Sequence, residues 1–194
     1  MNIKLLGCFV IGMSLSIHLF SQSFEQKAGQ ALAYCQANGM DTTYCMLINM
    51  AIHSGKNRLV LWDFDANTAR ETGICCHGSC DGNSRVIGSY DTAQFSNVHA
   101  SYCSSKGKYK IGNRGYSNYG IHINYKLHGL ESTNNHAYKR IIVLHSWGEV
   151  PEIEVFPQYA PNSLGCPMVS DSMMRFLDST LQSATLPVLL WIYN

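Results

Sequence analysis

The sequence predicts a mainly β domain with a few helices, preceded by a short helical hairpin. Three observations carry this reading. Apolar residues recur at helical spacing only over 24–55 and 170–184. From Lys56 onward the pattern changes to short alternating or wholly apolar runs, the mark of strands. At 194 residues, without a linker or low-complexity run, the chain has the length of one domain behind a leader.

The leader is residues 1–23. "MNIKLLGCFVIGMSLSIHLFSQS" has one early Lys, an apolar run from Leu5 to Phe20, and a small-x-small cleavage site at Ser21-Gln22-Ser23. The run is short for a membrane span and is broken by Gly12, Ser14, Ser16 and His18. An exported protein is therefore expected, with membrane contact only through an uncleaved leader. "LLGC" at 5–8 resembles a lipoprotein box, but the apolar run follows Cys8 where it should precede it.

Residues 24–55 are expected as the helical hairpin. "FEQKAGQALAYCQANGMD" stops at Asn38-Gly39, a C-terminal signal. Asp41 or Thr42 is placed to cap a second helix, "TTYCMLINMAIHSG", ending at Gly55. Cys35 and Cys45 flank the turn and are expected to bridge the pair. Residues 56–194 form the main domain. "NRLVLWDFD" (57–65), a D-A-N-T turn and "ARETGICCHG" (69–78) read as a β-hairpin. "GKYKIGN" (107–113), "GIHINYKLHGL" (120–130) and "RIIVLHSW" (140–147) are further strands, the last a buried one. "SDSMMRFLDSTLQSA" (170–184) is a helix capped by Ser170 or Asp171, and "LPVLLWIYN" (186–194) closes the sheet.

Net charge is +1, so the chain has no electrostatic footprint for nucleic acid or anionic lipid. Cysteine usage says more. Losing Cys8 with the leader leaves Cys35, Cys45, Cys75, Cys76, Cys80, Cys103 and Cys166. In an oxidising compartment such thiols pair, and an odd number leaves one over. Two bridges are expected among Cys75, Cys76, Cys80 and Cys103. If 75 and 76 lie on a strand they face opposite ways and need different partners. A metal reading of "CCHGSC" (75–80) fits less well, because zinc sites favour two separated ligand pairs.

Cys166 stands apart in "NSLGCPMV", preceded by Gly165 and followed by a capped helix. A glycine before a nucleophile permits a tight turn and lets a carbonyl approach backbone N–H donors. A reactive thiol also needs a neighbour that favours thiolate. Among the histidines, His18 leaves with the leader and His53 belongs to the hairpin. His77 and His136 read as loop residues, and His122 as a solvent-facing strand residue. His145 ends a buried strand 21 residues before Cys166, where a rigid scaffold delivers a side chain to a site.

"RIIVLHSW" followed by "NSLGCPMV" resembles the murein L,D-transpeptidase catalytic-domain family, in a divergent branch with Ser-x-Gly-Cys-Pro. The likeness extends to "FSNVHASYCSSKGKYKIGNRG", to "NYKLHGLESTNNHAYKRIIVLH" and to the His-Gly of "GICCHG". It implies an L,D-transpeptidase-like β-sandwich over 56–194, placed in the bacterial periplasm or cell envelope. Cys166 would be the nucleophile and His145 the base and then the acid. The Gly165 and Cys166 N–H groups would form the oxyanion hole, and Ser163 would support the loop. The implied partners are peptidoglycan stem peptides, with no cofactor and no metal. A thioacyl-enzyme would be resolved by an amine, as a transpeptidase, or by water, as an L,D-carboxypeptidase. Two departures bear on the acceptor: Leu164 stands where the common branch has His, and Pro167-Met168 follow the Cys without its nearby Arg. A catalytically silent, disulfide-stabilised wall-binding protein is the rival reading.

Overall fold

In the computed structural model, which describes residues 24–82 and 93–194, a helix α1 runs from 24 to 38. Its buried side chains are Phe24, Ala28, Ala31 and Cys35, spaced as one helical stripe. Gly39 takes the left-handed conformation (φ +61°) and Met40 N–H bonds back to Cys35 O at 3.0 Å. The helix therefore ends where the sequence signals it. The expected leader, with Cys8 and His18, lies outside the described residues.

The second helix of the expected hairpin is a strand. Residues Tyr44–Asn49 form β1, paired antiparallel with β2 (Leu59–Asp63) and parallel with β8 (Leu189–Tyr193). The reason lies in which core each side chain enters. Met46 and Ile48 join one apolar cluster while Cys45 and Leu47 join another on the opposite face. A strand buried on both faces reads as an unbroken apolar run, which periodicity cannot separate from a buried helix. The same split holds in β2, with Leu59 and Leu61 on one side and Val60 and Trp62 on the other.

The remaining strands are β3 (Thr68–Gly73), β4 (Gly107–Tyr116), β5 (Ile123–Gly129), β6 (Val143–Ser146) and β7 (Met168–Val169). One eight-stranded sheet results, in the order β3-β2-β1-β8-β4-β5-β6-β7. It wraps as a nearly closed β-sandwich around the larger core, so the mainly β expectation holds. Helix α2 (Asp171–Ser183) adds Met173, Met174 and Leu177 to that core, and the Ser170 side chain caps it by accepting from Met173 N–H. Helix α1 covers the opposite face of the sheet. No helix among the described residues is long and apolar enough to cross a membrane.

The cysteine pattern differs from the expectation. Cys80 is bonded to Cys103, while Cys35, Cys45, Cys75, Cys76 and Cys166 are thiols. Cys35 and Cys45 share an apolar cluster beneath α1 without a bond between them. Burial pushes the Cys35 thiol up to about 11 and Cys45 well above its ordinary range. Cys75 and Cys76 do face opposite ways, into different clusters. The Cys80–Cys103 bridge closes a loop of sequence separation 23, so Cys80→Ser is expected to cost about 3 kcal/mol in chemical denaturation. The matching control, reduction of the unmutated protein, should shift its midpoint by the same amount.

Candidate active site

Strand β6 is short and wholly buried, and it presents His145 beside its last residue. His145 lies opposite Asn124 on β5 and Met168 on β7. Because β7 begins two residues after Cys166, this register brings nucleophile and histidine candidates to one sheet edge. Both line a cavity of about 550 Å³, with Trp147, Leu164, Lys126 and Arg140 among its walls.

His145 is buried, and its Nδ1 lies 3.0 Å from Ser146 O. A carbonyl oxygen only accepts, so Nδ1 carries the ring proton and Nε2 keeps its lone pair. Burial lowers the ring's pKa, only partly opposed by that hydrogen bond. The imidazole is therefore neutral near pH 7, with a free basic nitrogen. The Tyr119 ring stands over it at 5.7 Å.

Cys166 is partly exposed, whereas Cys35, Cys45, Cys75 and Cys76 show no exposed surface. Its Sγ accepts from Val143 N–H at 3.4 Å and faces Ile141 O at 3.9 Å. Burial raises its pKa above the ordinary thiol value, and the Val143 N–H and then the Arg140 and Lys126 charges pull it partway back. At rest, then, a neutral thiol and a neutral imidazole share one cavity. No hydrogen bond joins them among the described residues.

The loop that carries Cys166 is clamped from several directions. Ser163 Oγ donates to Cys166 O at 2.6 Å and accepts from Gly165 N–H at 3.1 Å. Ser163 N–H bonds His77 O at 2.9 Å, and Ser79 N–H bonds Ser163 O at 2.9 Å. Gly165 sits at φ +113°, and a Cβ there would lie 2.8 Å from Cys103 O, so only glycine fits without strain. Ser104 Oγ ties the disulfide segment to the loop, donating to Gly165 O at 3.1 Å and accepting from Gly78 N–H at 3.0 Å. Of the two expected oxyanion donors, Gly165 N–H is thus engaged by Ser163, while Cys166 N–H has no partner among the described residues.

Two charged side chains support this arrangement without having been singled out from sequence. Arg140 donates to Ser96 O, Ser101 Oγ, Cys103 O and Ser105 Oγ. It fixes the segment beneath Gly165. Arg58 is fully buried with no acidic partner among the described residues, and its guanidinium reaches Cys75 O at 2.7 Å, Ile52 O at 3.2 Å and His77 Nδ1 at 2.8 Å. A guanidinium only donates, so His77 Nδ1 accepts and the ring is neutral. Burial and then the Arg58 charge push its pKa down to about 3. His77 is therefore a buried bracket for the Ser163 loop, where the sequence suggested a loop residue. The available signal was the His-Gly of "GICCHG". Among the other histidines, His122 is exposed and stacks on Tyr116, and His136 bonds Asn97 at the surface.

A sequence model of the L,D-transpeptidase catalytic domain matches residues 16–193. No curated protein matches the chain. Among solved structures, the chain is similar to the L,D-transpeptidase (residues 123–326) from Xylanimonas cellulosilytica, at 11% identity and a TM-score of 0.44, over 83% of this chain and 68% of that one. With the family model matching most of this chain, the chain belongs to the L,D-transpeptidase catalytic-domain family.

Proposed function

We propose that the protein is an exported L,D-transpeptidase that acts on peptidoglycan stem peptides through a thioacyl-enzyme on Cys166. One observation carries the reading: a partly exposed thiol and a neutral histidine with a free Nε2 line one cavity. As Cys166 Sγ attacks the carbonyl of the third stem residue, its proton passes to His145 Nε2. Negative charge develops on the carbonyl oxygen, where the Cys166 N–H stands unpaired to receive it. The intermediate collapses by breaking the peptide bond. His145 returns the proton to the departing amine, and D-alanine leaves. A thioester to Cys166 remains. An amine attacks it to form a cross-link, with His145 again taking the proton, or water attacks it to leave a trimmed stem. Ser163 and Gly165 hold the loop in the conformation this attack requires.

Incubating the protein with a stem tetrapeptide and a second stem as acceptor tests the reading. Release of D-alanine with formation of a linked dimer is expected. D-alanine release without a dimer would mark a carboxypeptidase. Binding without release would mark the silent wall-binding alternative and overturn the proposal.

A further inference from the structure

We propose that Lys126 reads the terminal carboxylate of the substrate, so that the cavity selects peptides ending in a free α-carboxylate just beyond the scissile bond. This deepens the reading above and rests on it for the identity of the peptide.

The charges around the cavity point this way. Its walls include Lys126 and Arg140, and no Asp or Glu lines it. Arg140 is already committed: its guanidinium makes four hydrogen bonds to the segment at 96–105. His145 is neutral, with its lone pair reserved for a proton. Lys126 differs from both. It lies on β5 directly opposite Val143, the residue whose N–H touches Cys166 Sγ. Its charge reaches the thiol, lowering the Cys166 pKa. Yet among the described residues its side-chain nitrogen has neither an ion pair nor a hydrogen bond, the two ion pairs being Lys108–Glu131 and Arg114–Asp178.

A lysine side chain on a mostly apolar cavity wall with no acidic partner among the described residues is placed to receive an anion. Lysine suits the task because its flexible four-carbon stem places a compact charge where a small anion arrives. The leaving amino acid carries such an anion one residue past the reacting carbonyl. Pairing there would also anchor the leaving group while the peptide bond breaks. The rival role for Lys126 is to act only on the thiol, and the two roles differ in what they distinguish. A field on the thiol affects every substrate alike. A carboxylate contact affects only substrates that carry the carboxylate.

The test measures binding, so it does not depend on turnover. A stem tetrapeptide and its C-terminal carboxamide are titrated calorimetrically into the Cys166→Ala protein, then into the same protein with Lys126→Met or Lys126→Arg. The carboxylate form should bind Cys166→Ala more tightly than the carboxamide by about tenfold to a hundredfold. Lys126→Met should erase that difference by weakening only the carboxylate form, and Lys126→Arg should restore most of it. Equal affinity of both peptides for Cys166→Ala overturns the proposal. So does a preference that survives Lys126→Met. Loss of D-alanine release in the unmutated protein would instead count against the catalytic reading, and leaves this binding result standing by itself.

Discussion

Cys166→Ala is expected to abolish D-alanine release from a stem tetrapeptide, with kcat falling by about four orders of magnitude or more. In the proposed mechanism the thiol is the group that bonds the substrate, and no other thiol lines the cavity. The four other thiols among the described residues are fully buried, and burial raises their pKa. The substitution removes a small, partly exposed group, so the fold should hold. A melting temperature within a few degrees of the unmutated protein separates lost chemistry from lost structure. Activity that persists in the folded variant would move the nucleophile elsewhere.

His145→Gln should cost roughly 10²–10⁴-fold in kcat/KM, the usual contribution of a positioned general base. Its effect is large here because the resting thiol is neutral: burial raises its pKa, so attack needs a base to take the proton. The pH profile carries the sign. His145's pKa is lowered by burial, so its basic form persists below pH 6.5. The unmutated enzyme should therefore lose activity only as pH falls through that lowered value. In His145→Gln the base is gone, and residual activity should climb with pH as the thiolate forms above the ordinary thiol range. An unchanged profile in the variant would remove His145 from the proton path.

The parts of this account that the sequence disclosed are those set by local chemistry. The hairpin of β2 and β3 follows from two strand-like runs on either side of a D-A-N-T turn. Helix α2 follows from its apolar stripe and the Ser170 cap. Cys166 and His145 stand out because a Gly-Cys turn and a strand-end histidine are local signatures. What stayed hidden depends on distant pairing. Strand β1 is fixed by β8, which lies most of the chain away, and its unbroken apolar run fits helix and buried strand equally. The His77 bracket exists only because Gly78 pairs with Ser163. Nothing in the pattern around Arg58 announces a buried guanidinium.

The cysteine count is a different case. Pairing six of seven thiols would have left Cys166 as the remainder, but the structure holds a single bridge, Cys80–Cys103, among the described residues. Arithmetic does not distinguish Cys166. Exposure does: it alone of the five thiols reaches a cavity wall that His145 shares. Cys35 and Cys45 serve as small apolar side chains under α1. The disulfide has a second consequence, since Cys103 O faces both Arg140 and Gly165. The bridge thus anchors the segment on which the Cys166 loop rests.

The most direct test of the central claim is intact mass, with peptide mapping, of protein acid-quenched during turnover of a stem tetrapeptide. The account predicts an adduct of one acyl tripeptide, held as a thioester on Cys166 and absent from Cys166→Ala. An adduct on another residue, or D-alanine release with no adduct on Cys166, would contradict it.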